Sequence, residues 1–129
     1  MPLTSISPTP KIDILLPAKE RFSPSNAGAI SGVVRDLVQA SRAANQFRIL
    51  GTDVTTSLMP DYFTGLLPKR RWLNGHNIGL AAAYLDLINA TGAADLVEVH
   101  SRCQVARYLL QKRPCLRVSL YLHNDPRQM

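Results

Sequence analysis

The fold follows from one stretch near the start of the chain, Ile12-Asp13-Ile14-Leu15-Leu16, which is nearly all apolar and is closed by Pro17. A short run of this kind is typical of a parallel strand that is buried on both faces. After a loop that contains Pro and Ser, apolar residues recur at helical spacing from about 27 to 44, with polar residues on the opposite side. The chain therefore opens with a buried strand and an amphipathic helix.

The same alternation continues to the end of the sequence. We predict a strand at 47–50 that Gly51 ends, a helix at 75–90, a strand at 95–99, a short helix around 105–110 and a strand at 116–122. The segment 51–73 shows neither period clearly and leaves room for a hairpin or an extra edge strand. This alternation implies right-handed crossovers and helices on both faces of a parallel sheet. The predicted fold is α/β, a Rossmann-like parallel sheet of about four to five strands with flanking helices.

Length and charge limit the functions that the chain can have. With 129 residues it has room for one domain, so we expect a loose tail at 1–10 and a single incomplete Rossmann-like domain at 11–129. Its 15 Lys and Arg outnumber its 9 Asp and Glu, and the net charge of +6 favours anionic partners. The densest basic run is Lys69-Arg70-Arg71, followed by Trp72. It is either a solvated loop or a contact with anionic lipid.

The two cysteines and the hydropathy of the sequence indicate the cellular location of the protein. Cys103 and Cys115 form no CxxC pair and have no His at ligand spacing, so neither a disulfide framework nor a metal site is predicted. The Pro-rich start does not resemble a secretory signal, and no apolar run reaches the length of a membrane span. We therefore expect a cytoplasmic protein, with at most peripheral contact with the inner face of the cell membrane.

Ligands of doubly wound sheets gather at the carboxyl ends of the strands. Gly28 opens the first predicted helix, where backbone N–H groups can approach a phosphate or a sugar hydroxyl, although a lone Gly there is also an ordinary turn. His100 ends a strand close to Arg102. The two either bind an anionic or hydroxyl-rich ligand together, or His100 is a hydrogen-bonded structural histidine. The segment 123–125 (His-Asn-Asp) is either a site element or a plain turn.

Several common chemistries have no support in the sequence. A dinucleotide fingerprint requires G-x-G-x-x-G, whereas Gly28 and Gly32 lie four residues apart after a long loop, so NAD binding is disfavoured even though Asp53 falls where a ribose-binding acid would. No P-loop, no glycosidase-like carboxylate pair, no Ser-His-Asp arrangement and no metal-binding cluster is apparent. Nucleic acid is not an expected partner.

Three blocks of the sequence are together similar to the amino-terminal part of a known family. They are Lys11-Ile12-Asp13-Ile14-Leu15-Leu16-Pro17 with Glu20-Arg21-Phe22-Ser23-Pro24 and Asn26-Ala27-Gly28-Ala29-Ile30-Ser31, then Asp95-Leu96-Val97-Glu98-Val99-His100-Ser101-Arg102, then Leu120-Tyr121-Leu122-His123-Asn124-Asp125-Pro126. The chain resembles the bacterial family 4 glycosyltransferases of the GT-B fold. The blocks keep the order and approximate spacing of that family across nearly the whole chain after the tail.

The resemblance implies a function and a set of site residues. Such enzymes have two Rossmann-like domains, of which the first mainly binds the acceptor and the second the sugar nucleotide, and transfer retains anomeric configuration without a metal. The resemblance implies that this chain is the acceptor-side half, with His100 as the catalytic residue. The substrate-binding residues that it implies are Glu20, Asn26, Gly28, Ala29, Arg102, His123, Asn124 and Asp125. No cofactor is expected, since the nucleotide sugar is a substrate.

The chain also departs from the family. The 129 residues are too few to include the donor-binding domain as well, and Gly28 is flanked by alanines where the family often has two adjacent glycines. Transfer requires donor and acceptor to be held together, so we expect the chain to be inactive alone and to need a separately encoded donor-binding domain. Its expected ligand is a glycan or lipid-linked acceptor. The alternative is a non-catalytic module that binds anions or glycans through its basic surface.

Overall fold

The structure is a computed structural model and describes residues 12–25, 28–41, 46–69 and 75–122. Five strands and three helices follow one another along this part of the chain. In order they are β1 (Ile12–Leu15), α1 (Ala29–Ala40), β2 (Phe47–Thr52), β3 (Phe63–Leu66), α2 (Gly75–Thr91), β4 (Leu96–His100), α3 (Cys103–Lys112) and β5 (Val118–Tyr121). The predicted α/β alternation is confirmed.

The five strands form one sheet in the order β3-β2-β1-β4-β5, and every neighbouring pair is parallel. The chain winds outward from β1 in one direction as far as β3 and then returns to the other side of β1 with β4. This order and the flanking helices are those of a Rossmann-like fold, as predicted. The winding direction changes between β1 and β4, which places a crevice at the carboxyl ends of these two strands.

The elements differ from the prediction in several places, and three of these differences have a structural cause. The unassigned segment contains an edge strand, β3, which is parallel to β2, and its described part, residues 51–69, contains no hairpin. Because β3 pairs with it, β2 continues through Gly51 to Thr52 instead of ending at the glycine. Helix α1 ends at Ala40, before the predicted end, because Ser41 has extended backbone and its N–H closes the last turn on the carbonyl of Val38.

Each face of the sheet buries its own hydrophobic cluster. Helix α1 covers one face, where the buried residues are Ile14, Leu16, Phe22, Val34, Val38 and Ile49. Helices α2 and α3 cover the other, where the largest buried residues are Leu15, Leu50, Leu80, Tyr84, Ile88 and Leu109. Because β1 supplies alternate residues to both clusters, it is the strand that joins the two halves of the core.

One buried charge interrupts the apolar run of β1. Asp13 is fully buried and accepts two hydrogen bonds from Arg48 of β2, at 2.9 and 2.8 Å, and one from the hydroxyl of Tyr84 of α2, at 2.6 Å. Burial alone would lower the pKa of Arg48, but the hydrogen bonds and charge of Asp13 outweigh it and raise that pKa. Burial raises the pKa of the Tyr84 phenol, and the Asp13 charge raises it further.

The substitution Tyr84→Phe tests this network. Loss of a hydrogen bond to a buried carboxylate should lower the free energy of unfolding at pH 7 by about 1.5–3 kcal/mol. The folded-state pKa of Tyr84 lies above the ordinary value of 10.0, so its contribution is complete below pH 10 and is lost as the pH rises further. Above pH 10 the wild type should therefore lose up to about 1.4 kcal/mol per pH unit that the variant does not lose.

Urea unfolding between pH 7 and pH 11 measures both effects. The matched control is Tyr62→Phe, since the Tyr62 hydroxyl forms no hydrogen bond in the part of the chain that the structure describes. It should leave stability at pH 7 within about 0.5 kcal/mol of the wild type. Parallel stability curves for the wild type and Tyr84→Phe above pH 10 would contradict the prediction.

Candidate functional site

The candidate site is the crevice at the carboxyl ends of β1 and β4. The loop after β1 leads through Glu20 to the start of α1 at Ala29, and the turn after β4 consists of Ser101 and Arg102 before α3 begins. Parallel strands place these two connections at the same edge of the sheet. The crevice is therefore built from residues of two of the three sequence blocks described above.

The carboxylate of Glu20 binds the amino-terminal end of α1 from across the loop. Its Oε2 atom accepts hydrogen bonds from the backbone N–H of Gly28 at 2.7 Å, the backbone N–H of Ser31 at 3.1 Å and the hydroxyl of Ser31 at 2.6 Å. Gly28 is the N-cap residue and has no side chain to cap the helix, so Glu20 supplies the missing acceptor. A negative charge here also interacts favourably with the helix dipole.

Gly28 is required for this arrangement by its small size. A Cβ atom at this position would lie 2.7 and 2.8 Å from the two carboxylate oxygens of Glu20, closer than atoms approach without displacement. In this structure the N–H of Gly28, which is predicted to approach a phosphate or a sugar hydroxyl, donates to a carboxylate of the protein itself. Ala29, the next residue, is the exposed first residue of α1, and Asn26 lies outside the described residues.

His100 is buried at the end of β4 and held on two sides. Its side chain is fully buried, Nε2 lies 2.6 Å from Oε1 of Glu98, and its ring stacks on Tyr121 with centroids 4.8 Å apart and an interplanar angle of 11°. Glu98 precedes it by two residues on the same face of β4, and Tyr121 is its register partner on β5. The imidazole is thus fixed in orientation by a carboxylate and an aromatic ring. This arrangement agrees with both interpretations of His100, as a ligand-binding residue and as a hydrogen-bonded structural histidine.

Arg102 binds locally to the strand end. Its Nη1 atom donates to the backbone carbonyl of Ser101 at 3.2 Å, and its own carbonyl accepts from Val105 and Ala106 in the first turn of α3. Arg102 thus follows the carboxyl end of β4, two residues after His100, at the edge of the sheet where the sequence predicts the site. The remaining predicted residues, His123, Asn124 and Asp125, lie outside the described residues.

Sequence reasoning missed the most unusual residue of the crevice, Ser101. It has a φ of 67° and is the only residue other than glycine in the described part of the chain with positive φ. It is 2% exposed, and its hydroxyl is the one buried side-chain polar atom of the described residues without a hydrogen-bond partner. Strain and unpaired polar groups of this kind cluster at functional sites. A serine between His and Arg carries no sequence signal for either property.

No family model, no curated protein and no solved structure matches this chain. In the described ranges, no helix has the length and apolar character needed to cross a membrane. No group of three or more His, Cys, Asp or Glu residues in those ranges is placed to hold a metal ion. Of the basic run at 69–72, only Lys69 is described, and it forms an ion pair with Asp86 of α2.

The strain at Ser101 predicts that Ser101→Gly stabilises the protein. Relief of a left-handed backbone conformation should raise the free energy of unfolding by about 1 kcal/mol, since L residues lose roughly 1–2 kcal/mol there. The companion variant Ser101→Ala removes the unpaired hydroxyl but keeps the strain, and it separates the two contributions. Thermal unfolding of the three proteins measures the effect. A lower melting temperature for Ser101→Gly than for the wild type would show that Ser101 is not strained.

Proposed function

We propose that this chain is the acceptor-side half of a retaining glycosyltransferase of the GT-B fold, which transfers a sugar from a nucleotide sugar to a glycan or a lipid-linked acceptor. The single observation that carries the proposal is the convergence of three donors, from Gly28 and Ser31, on one carboxylate oxygen at the start of α1. The resemblance of the sequence blocks that contain these residues supports the same function.

The chemistry of sugar transfer explains why this geometry matters. A nucleotide sugar loses its diphosphate in the reaction, and negative charge develops on the phosphate oxygens as the bond to the sugar breaks. Backbone N–H groups at a helix start, fixed in advance, stabilise such charge without reorganisation. In the free chain the carboxylate of Glu20 accepts the hydrogen bonds from the N–H groups of Gly28 and Ser31. The donor diphosphate would take that position, so Glu20 and the donor compete for it.

The end of β4 would serve the transferred sugar in this proposal. His100 is fixed there by Glu98 and Tyr121, and the buried hydroxyl of Ser101 has no partner among the described residues. Hydrogen-bonding groups that are rigidly held and shielded from water are suited to positioning sugar hydroxyls. The donor-binding half would come from a second Rossmann-like unit. A lipid-linked acceptor would bring the chain into contact with an anionic membrane surface.

Glu20→Gln tests the competition. Removal of its charge should tighten the binding of the probe UDP-glucose about tenfold, equivalent to about 1.4 kcal/mol. The amide NMR signals of Gly28 and Ser31 should shift during the titration. The matched control is Asp36→Asn, which removes the same charge from the exposed Arg35–Asp36 ion pair on α1.

Two results would contradict the proposed function. One is an equal gain in affinity from Glu20→Gln and Asp36→Asn, which would indicate only a change in net charge. The other is binding of NAD at Gly28 and Ser31 as tight as that of UDP-glucose, which would favour a nucleotide-binding oxidoreductase domain instead.

A second candidate function is supported by a basic groove between α2 and α3. It has a volume of about 230 Å³, and its charged lining residues are Lys69, Lys112, Arg113 and Asp86, of which Lys69 and Asp86 form an ion pair. Nζ of Lys112 lies 5.7 Å from the centroid of the Tyr108 ring, and Nη1 of Arg113 donates to Asn89 at 2.8 Å. The two cations of the groove that form no ion pair within the described residues, Lys112 and Arg113, favour a non-catalytic module that binds anions or acidic glycans.

The substitution Lys112→Gln tests this second function. It should weaken binding of the sulfated glycan heparin about fivefold, because one cation contributes roughly 1 kcal/mol at such a surface. The control is Arg35→Gln, which removes an exposed cation from α1. Isothermal titration at two salt concentrations measures both variants. If the control loses as much affinity, the groove is not a specific site.

A further inference from the structure

A second cavity lies outside the β1–β4 crevice. It is an open cleft of about 550 Å³ between the loop after β1 and the loop after β2, so it sits on the β2 side of β1. This volume is within the range of about 300–1,000 Å³ that is common for small-molecule sites. Its lining shares the loop after β1 with the crevice described above, but its described residues include neither Glu20, Gly28 nor Ser31 and none from the end of β4.

The walls of the cleft are held in place by contacts beneath them. The ring of Phe22, which is fully buried, stacks on Phe63 of β3 with centroids 5.5 Å apart. The carbonyl of Phe22 accepts a hydrogen bond from the N–H of Leu58 at 2.9 Å, which ties the two loops together. The backbone N–H of Asp53 donates to the carbonyl of Leu66 at 3.0 Å. The cleft is therefore formed before any ligand arrives.

The carbonyl of Ala18 fixes the cation of the cleft. It accepts a hydrogen bond from Nη1 of Arg21 at 2.5 Å and another from the hydroxyl of Thr52 at 2.7 Å. A guanidinium has five N–H donors in a fixed planar arrangement. The hydrogen bond to Ala18 thus fixes the orientation of the Arg21 guanidinium, and the other N–H donors of the group can bind an anionic oxygen.

The chemistry of the lining is that of a hydroxyl-rich ligand. Four of the eight lining residues are serines or threonines, namely Ser23, Ser25, Thr55 and Thr56, and the charged ones are Arg21 and Asp53. No aromatic ring belongs to this set, so a nucleobase would find no surface on which to stack. Hydroxyls, a carboxylate and a guanidinium together match a sugar that carries a negative charge.

Asp53 occupies a distinctive place in the sheet. It directly follows β2 in the strand order β3-β2-β1-β4-β5, its side chain is exposed, and it forms no side-chain hydrogen bond or ion pair within the described residues. In dinucleotide-binding sheets of this order, an acidic residue near the end of the second strand accepts a hydrogen bond from the 2′-hydroxyl of a ribose, so a carboxylate at this place is suited to a sugar hydroxyl. Gly65 lies so close to this side chain that a Cβ atom there would overlap the carboxylate.

We propose that this cleft binds an anionic sugar, with Asp53 accepting hydrogen bonds from adjacent hydroxyls and Arg21 binding a phosphate or carboxylate group. The site is additional to the proposed function, because it requires neither Gly28 nor His100. It holds whether or not the chain takes part in sugar transfer.

Calorimetric titration with four probes tests the proposal. Glucose 1-phosphate and glucuronate distinguish a phosphate from a carboxylate as the anionic group, and glucose and inorganic phosphate represent each half of the ligand alone. At least one anionic sugar should bind about tenfold more tightly than either half. Asp53→Asn should weaken that binding about tenfold. Arg21→Gln should reduce it to the affinity for glucose.

Controls keep the result interpretable. Asp61→Asn removes an exposed acid from the same loop and Arg35→Gln removes an exposed cation from α1, and neither should change the affinity by more than about twofold. Circular dichroism checks the fold of every variant. Arg21→Lys, which keeps the positive charge, should retain the preference for the anionic sugar even if Arg21→Gln fails to fold.

Three results would overturn the proposal: wild-type affinity in Asp53→Asn, inorganic phosphate binding as tightly as glucose 1-phosphate, or no binding of any sugar. Glu20→Gln distinguishes this site from the β1–β4 crevice. It should leave anionic-sugar binding unchanged even where it alters the binding of UDP-glucose.

Discussion

The carboxylate of Asp13 is the constraint on which the arrangement of the fold depends. It lies in the central strand, and its hydrogen bonds to Arg48 and Tyr84 fix β1 against β2 and α2 at once. An unpaired charge at this depth would destabilise the protein by several kcal/mol, so the three elements must meet in one register. That register in turn sets where β1, β2 and β4 end, and these strand ends border both the β1–β4 crevice and the cleft over β2.

At the opposite end of β1, neighbouring residues serve two different regions. Glu20 faces the start of α1 and holds the donors of Gly28 and Ser31, whereas Arg21 faces the cleft over β2 and is oriented by Ala18. Both are held by hydrogen bonds to backbone groups rather than by other charged side chains. The loop thus presents a carboxylate to the start of α1 on one side and a guanidinium to the cleft on the other.

Most of the sheet could be predicted from the sequence, because the spacing of apolar residues that marks a strand or a helix is contained within a short stretch of chain. The four strands predicted from apolar runs are all present, whereas for β3 the sequence left a hairpin and an extra edge strand as alternatives, because Phe63–Leu66 is short and contains Gly65. The partners of Asp13 lie 35 and 71 residues away in sequence, so nothing near Asp13 identifies them. The sequence singles out Gly28 because it precedes a helix. The carboxylate that accepts a hydrogen bond from its N–H, that of Glu20, is identified only from the structure. The strain at Ser101 left no trace in the sequence.

The strand order also determines when the molecule can become stable. The first strand, β1, pairs with β2 on one side, but its other neighbour, β4, begins only at Leu96, after more than half of the chain. Contacts so distant in sequence require a long loop to close before they contribute any free energy, which slows folding. During synthesis the ribosome must release β4 before the central strand is enclosed. Until then, one edge of the central strand remains open to other chains.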